Sequence, residues 1–470
     1  MNSANAFFSV GIDVGTTTTQ VVFSRIFLEK GGGYGCVPEV KIAKKDVVYK
    51  SPIYFTPLIS RDIVDAVRLK KIIAEEYRKS AIKTPEVTTG AVIITGESAR
   101  KKNAHDVAEQ LSEFAGDFVV CTAGPDYEAV LAGWGAGAGE LSRKVNRRVA
   151  NFDIGGGTTN AAVFFNSEVV ETFAADIGGR LVKIDQDGTV SYVSEKIRFL
   201  AEALDLESVR EGKKADLEEL CRLAARMADM FPEFAGERKL SGTAKRLFIG
   251  HPSSEAPMEC LMFSGGVAEY IYKTDLLCAN DSIRRYGDIG PLLGQSIRAV
   301  LPSMRAKLLT PTEKIRATVV GAGNYSVGLS GSTISVSEEA LPIKNVPVVK
   351  VSCKSGAAEP LESKIAACLR MYGGEQTAIA VSDIGNPEYV GLKKIAGSLL
   401  AGLRETHNPA VIITECDCAK ALGLMLRNAF GDGRRVICLD RVHVENGDYI
   451  DIGKPLCGVV PVVVKSLIFS

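Results

Sequence analysis

Apolar positions along the chain fall into two patterns. Short runs rich in Val, Ile and Phe, broken by Gly or Asp, read as strands, and longer stretches with apolar residues three or four apart read as helices. Ser9–Val14 and Val21–Phe23 predict two strands joined by a turn, a hairpin over 7–28. Residues 29–60 are polar and punctuated by Gly and Pro, with Gly31-Gly32-Gly33-Tyr34-Gly35 as a loop tip. Ile63, Val64, Val67, Leu69, Ile72, Ile73 and Tyr77 predict a helix over 61–82, followed by a strand at Ala91–Ile94, a helix around 104–114 and a strand at Phe118–Cys121. The stretch Pro125–Gly139 has a helical pattern built largely of Gly and Ala. Such a helix is weak in isolation, so the pattern predicts a second helix packed very close to it, as where two lobes cross.

A three-strand meander is predicted over 149–176, and Leu217, Leu220, Leu223, Ala224, Met227 and Met230 give an amphipathic helix over 216–231. Cys260–Phe263 reads as a strand breaking into the turn Ser264-Gly265-Gly266, and strands around 315–336 are expected to flank Gly321-Ala322-Gly323. From 340 onward strand and helix signals alternate at Thr377–Val381, Leu392–Arg404, Ala410–Thr414, Cys418–Ala429 and Arg435–Asp440. That order implies parallel pairing. Asn446-Gly447-Asp448 reads as a hairpin turn between Val442–Val444 and Tyr449-Ile450.

The chain has 470 residues, which predicts about three domains at ~150 residues each. Lys plus Arg equals Asp plus Glu, 56 each, so charge gives no case for nucleic acid or an anionic membrane as a partner. The local basic run Arg143–Arg148 reads as a linker between lobes. The eleven Cys include no C-x₂-C pair, and Cys416-Asp417-Cys418 fits neither zinc nor thioredoxin-type spacing. With no apolar stretch long enough for a membrane span, the expectation is a reducing, cytoplasmic compartment with free thiols.

Candidate chemistry lies in one motif that occurs twice. Gly11-Ile12-Asp13-Val14-Gly15-Thr16-Thr17-Thr18 and Phe152-Asp153-Ile154-Gly155-Gly156-Gly157-Thr158 each place an Asp and a Gly-Thr turn between apolar strands. Backbone N–H groups in such a turn form a concave anion site, with Thr hydroxyls as further donors. The Asp offers a hard oxygen to Mg²⁺, directly or through water. The flanks predict a hairpin and not a strand entering a helix, and no Walker motif is present. Two matched half-sites suggest two similar lobes holding one polyphosphate.

These elements line up in order with the actin, sugar-kinase and heat-shock-chaperone ATPase superfamily, whose fold is α/β with two ribonuclease H-like lobes. The resemblance implies lobe one at 1–147 with an inserted segment at about 29–90, lobe two at 148–339, and a C-terminal α/β region at 340–470. It implies ATP and Mg²⁺ in the cleft. Asp13 and Asp153 would serve as catalytic and metal-binding carboxylates, with Gly15, Thr16, Thr17, Thr18, Gly155, Gly156, Gly157 and Thr158 on phosphates. Ser264, Gly265, Gly266 and Val267 resemble the adenosine-contacting turn, and Asp176-Ile177-Gly178-Gly179-Arg180 the Gly-Gly turn that closes the next hairpin in the chaperones. The helix at 125–139 resembles the first connecting helix; the second is either Ile289–Ala299 or the Gly321–Gly323 segment. Where the chaperones carry a water-positioning Glu before this helix, Gly124 stands, so slow hydrolysis is expected, with Asp126, Glu128 or Glu97 as substitutes.

More specifically, Ile94–Ala99 (ITGESA), Asp288–Leu293 (DIGPLL) and Leu329–Ile334 (LSGSTI), together with both loops, resemble the ethanolamine ammonia-lyase reactivating factor family. That resemblance implies an ATP- and Mg²⁺-dependent chaperone with weak ATPase activity. Its partner would be ethanolamine ammonia-lyase, and cobalamin would be met indirectly, within or near a bacterial microcompartment. A homodimer is one state left open. The alternatives are a small-molecule kinase of the same superfamily, tested by phosphate transfer, and an actin-like scaffold, tested by filament formation.

Overall fold

The computed structural model builds two sheets of one strand order around the two Gly-Thr turns. It describes residues 6–15, 18–31, 39–60, 63–95, 103, 107, 110–111, 119–122, 124–254, 256–273, 286–325, 327–330, 334–353, 360–371, 376–385, 388–404, 406–431, 434–445, 448–455 and 459–465. In lobe one, β1 (Ala6–Val14), β2 (Thr18–Gly31) and β3 (Glu39–Lys50) form an antiparallel meander. Beyond β1 lie two parallel strands, β4 (Val87–Ile94) and β5 (Val119–Thr122), giving the order β3-β2-β1-β4-β5. Helix α1 (Ala66–Ser80) begins at Asp65, whose carboxylate accepts from the Arg68 N–H at 3.0 Å. It buries Leu69, Ile73 and Tyr77 against Val10, Ile12, Phe23 and Val92 of the sheet, a core that Val107 and Leu111 join.

Lobe two repeats the plan. β6 (Val149–Ile154), β7 (Thr159–Phe165) and β8 (Glu168–Ala175) form the meander. The edge strand β9 (Phe248–Ile249) follows β8, while β10 (Cys260–Ser264) and β11 (Lys307–Leu308) continue in parallel beyond β6. The order is β9-β8-β7-β6-β10-β11. An antiparallel meander continued by two parallel strands is the ribonuclease H-like arrangement, present here in both lobes.

The lobes meet where α2 (Pro125–Ala136) crosses a later helix, α6 (Ala317–Tyr325). A Cβ on Gly135 would stand 1.9 Å from the Ala317 carbonyl oxygen, and one on Gly321 1.9 Å from that of Leu131. The two backbones therefore touch, which is what the small residues permit. Trp134 packs edge-on against Phe164, ring centroids 5.1 Å apart, and covers Gly139 in α3 (Ala138–Val145). At the end of the linker, Arg148 pairs with Glu171 at 2.8 Å. Helices α4 (Leu217–Ala228) and α5 (Gly290–Val300) share the large lobe-two core with Phe152, Phe231 and Phe263.

The third sheet begins before the expected boundary. β12 (Val327–Leu329) and β13 (Ser335–Val336) already belong to it. Strands β14 (Ile343–Ser352), β15 (Ala378–Ser382), β16 (Ala410–Thr414) and β17 (Val436–Asp440) run parallel, linked by α7 (Leu361–Met371), α8 (Tyr389–Gly402) and α9 (Ala419–Phe430). β18 (Tyr449–Ile452) and β19 (Pro461–Lys465) complete the order β12-β19-β18-β14-β15-β16-β17-β13. The helices cover one face through Ile365, Leu399 and Leu422.

Three expectations are corrected. The strand expected before Gly321–Gly323 is instead part of α6, and of the two segments offered as second connecting helix it is this one that crosses α2; the Thr-Val-Val run favours strand by local propensity, but packing against α2 decides. Part of the segment expected as an insertion is integral to lobe one, since β3 and β4 are sheet strands. Val442–Val444 is not a strand; β18 pairs with β14 and β19 instead. The turn residues Asn446 and Gly447, most of the helix expected at 104–114, and Gly32–Gly35 lie outside the described residues.

Candidate functional site

Both motif turns close in the same way. The Gly15 N–H donates to the Thr18 carbonyl at 2.9 Å, and the Gly155 N–H to the Thr158 carbonyl at 3.0 Å. Thr16 and Thr17 lie outside the described residues. Around the first loop, Tyr54-Phe55 pairs with Thr18-Thr19, and the Thr56 hydroxyl donates to the Gly15 carbonyl at 2.7 Å. Around the second, the Gly179 N–H donates to the Gly155 carbonyl at 3.0 Å and the Arg180 N–H to that of Gly156 at 2.6 Å. A Cβ on Gly178 would lie 2.5 Å from the Gly156 oxygen, so this supporting turn requires glycine. A Cβ on Gly157 would meet nothing within 4 Å among the described residues, so that side of the loop is open.

The two carboxylates are served alike. Asp13 accepts from the Thr95 hydroxyl at 3.0 Å, just past the end of β4. Asp153 accepts from the Ser264 hydroxyl at 2.6 Å, at the end of β10, and from Thr318 of α6 at 3.4 Å. In each lobe the hydroxyl comes from the parallel strand beside the strand that carries the Asp. Burial pushes Asp13 up to about 7, the Thr95 bond opposes this, and the charge of Asp153 adds to it. The last effect places the two carboxylates within electrostatic reach of one another. Burial likewise pushes Asp153 up to about 6, against the bonds from Ser264 and Thr318.

Neighbouring carboxylates held out of water, with protonation favoured over charge, form a site that gains from a cation. Among the described residues no group of three or more His, Cys, Asp and Glu could hold a metal. Two carboxylates with hydroxyl and carbonyl oxygens suit a hard cation that keeps much of its water, as Mg²⁺ does.

The turn after β10 is divided in role. Ser264 bonds Asp153 and Asn151 Nδ2, the latter at 2.8 Å. Gly265 has φ +84 and would place a Cβ 2.3 Å from the Ile154 oxygen, so it braces the second loop from behind. The Val267 N–H also donates to the Ile154 carbonyl, at 3.3 Å. Gly266 alone of the four is open, with only Ile315 within 4 Å of a Cβ among the described residues. Asp288 accepts from the Gly290 N–H at 3.0 Å and pairs with Arg180 at 3.2 Å, tying the start of α5 to the second loop. Arg180 of lobe two reaches the Phe55 ring of lobe one, 6.0 Å from its centroid.

With this geometry in place, comparison with known proteins decides the family. Residues 5–470 match the family model described as ethanolamine utilisation protein EutA. The chain belongs to that family. It is 37% identical over 472 residues to the ethanolamine ammonia-lyase reactivase EutA of Salmonella typhimurium (strain LT2), covering 98% of each chain. Its identity to the Escherichia coli (strain K12) protein of the same description is 35% over 483 residues, again covering 98% of each. Among solved structures, the PPX-GPPA enzyme of Aquifex aeolicus aligns with a TM-score of 0.42 and 15% identity, over 67% of this chain and 99% of that one.

In this EutA-family chain, Thr95, Thr318 and Thr56 bond Asp13, Asp153 and Gly15, contacts that sequence reading left out. Thr95 did stand in a quoted motif, immediately after a strand. Asp126, a candidate for water positioning, lies 3.4 Å from His251. Glu97 lies outside the described residues. At Gly124 a Cβ would meet nothing within 4 Å among the described residues. No helix among them is long and apolar enough to cross a membrane.

Proposed function

We propose that this chain is an ATP- and Mg²⁺-dependent reactivating chaperone for adenosylcobalamin-dependent ethanolamine ammonia-lyase. It would promote release of damaged cobalamin so that intact adenosylcobalamin binds. The observation that carries this reading is the end-to-end relation to curated reactivases, 37% and 35% identical over 98% of both chains. The paired acidic loops supply a physical basis for the nucleotide part.

In this reading Asp13 and Asp153 hold Mg²⁺, which when bound neutralises charge on phosphate oxygens. Gly15 and Thr16–Thr18 from lobe one, and Gly155–Thr158 from lobe two, donate to the phosphates. Thr95, Ser264 and Thr318 hold the two carboxylates in place. Gly266 borders the adenosine side, while Ser264, Gly265 and Val267 support it. The crossing of α2 and α6 is the pivot between the two lobes, and the third sheet, which begins at Val327, moves with them. A reactivase acts on its target only through different affinity for the target's states, so lobe closure must alter the surface offered to the lyase.

Cobalamin release tests this directly. Lyase carrying bound cyanocobalamin is mixed with the chain, with or without MgATP, and freed from small molecules by gel filtration. Loss of the bound cobalamin spectrum only with both the chain and MgATP supports the reading. Retention under all conditions rejects it.

A further inference from the structure

Each phosphate-loop hairpin sets a carboxamide beside its carboxylate. Gln20 stands directly across from Asp13, and Asn160 directly across from Asp153. Opposed residues of an antiparallel pair share a face, so each half-site presents one charged and one neutral side chain together. Both carboxamides are buried, 3% and 2% exposed. The amide oxygens Gln20 Oε1 and Asn160 Oδ1 find no hydrogen-bond partner among the described residues. Gln20 Nε2 is fixed on the Ile315 carbonyl at 3.2 Å, three residues before the Thr318 that bonds Asp153. Gln20 and Asp153 therefore border the same space. A buried oxygen without a donor costs free energy, and here two occur at the same position of two matched hairpins.

We propose that Gln20 and Asn160 are the second pair of oxygens of the cation site, accepting hydrogen bonds from water in the shell of the divalent cation held by Asp13 and Asp153. This rests on the Mg²⁺ reading of the cleft. Mg²⁺ keeps several waters, each with hydrogens to place. Neutral amide oxygens take those hydrogens without adding charge to a site that already has two carboxylates. One carboxamide on each lobe also makes the water shell a bridge that both lobes complete.

The test uses the full-length chain with Asn160→Leu, Asn160→Asp and Gln20→Met. Thermal melts are run with and without Mg²⁺, and Mg²⁺ affinity is measured by calorimetry in the presence of ADP. Asn160→Leu is expected to melt at or above the wild-type temperature without Mg²⁺, because the unpartnered oxygen is gone. Its Mg²⁺ affinity falls about tenfold, or ~1.4 kcal/mol, and Gln20→Met loses a similar factor. Asn160→Asp keeps an acceptor and retains the Mg²⁺ response, but melts lower without Mg²⁺ because it buries a third negative charge. Wild-type Mg²⁺ affinity in Asn160→Leu and Gln20→Met overturns the assignment of these two residues and leaves the cleft reading intact. A wild-type chain with no Mg²⁺ response overturns the cation site altogether.

Discussion

In the proposed reading Asp13 and Asp153 carry the chemistry, and their environment sets when they are charged. Both ordinarily ionise at 3.8, but burial moves them up to about 7 and about 6. A carboxyl with a raised folded pKa favours the protonated folded state. As pH rises from about 4 to about 7 the folded protein gives up protons it holds more tightly than the unfolded chain does, so these groups destabilise it progressively. Mg²⁺ held as proposed would offset that loss by favouring the ionised forms. Melting temperature without Mg²⁺ is therefore expected to fall from pH 5 to pH 8, with Mg²⁺ closing most of the gap, and Asp13→Asn to reduce both effects. A Mg²⁺ response independent of pH in thermal melts would contradict this. Ser264→Ala removes a bond that lowers the Asp153 pKa, so the pH midpoint of Mg²⁺ binding should move upward by about one unit, ~1.4 kcal/mol, as read by calorimetry across pH. The acids and the Gly-Thr turns were legible because each lies in one short stretch of sequence. Their hydroxyl partners were not, since Thr95, Ser264 and Thr318 stand 82, 111 and 165 residues from the Asp each serves. Ser264 was read as an adenosine contact from its strand ending in Ser-Gly-Gly; its bond to Asp153 depends on a strand pairing that the sequence does not display.

At the scale of elements, the contact between α2 and α6 is backbone against backbone. Gly321→Ala places a methyl group 1.9 Å from the Leu131 carbonyl oxygen, and is expected to cost about 1–3 kcal/mol or more in urea denaturation. Gly397→Ala, at an exposed position of α8 with nothing within 4 Å of the added Cβ among the described residues, should instead stabilise by about 0.5–1 kcal/mol. Opposite signs from one chemical change separate close packing from backbone entropy. Phe152, wedged between Phe173, Phe231 and Phe263 at centroid distances of 5.9, 5.5 and 5.6 Å, should cost about 3–5 kcal/mol when cut to Ala. The Gly-Ala composition of α2 announced a close helix crossing and Gly321–Gly323 was one of two segments offered as its partner, but the local pattern there read as strand because Thr318, Val319 and Val320 are β-branched. β3 was hidden for a different reason: an edge strand is largely solvated, and its polar residues resemble a loop.

For the whole molecule, repetition of one motif foretold repetition of one topology, and the two sheets share the order of a meander followed by two parallel strands. The alternating pattern after residue 340 likewise foretold the parallel strands β15 to β17, but not β14 beside them. The start of that sheet at Val327 was not legible, because β12 and β13 are too short to carry a period of their own. At this scale the proposed function rests on the cleft working as a unit, with one acid from each lobe. Recovery of lyase activity tests that most directly. Ethanolamine ammonia-lyase is inactivated with cyanocobalamin, then given free adenosylcobalamin, Mg²⁺ and the chain, with ATP present or omitted. Activity should return only with ATP, and should fail for Asp13→Asn and Asp153→Asn variants that melt as folded proteins. Equal recovery without ATP, or in both variants, would contradict a nucleotide-driven reactivase built on these two carboxylates.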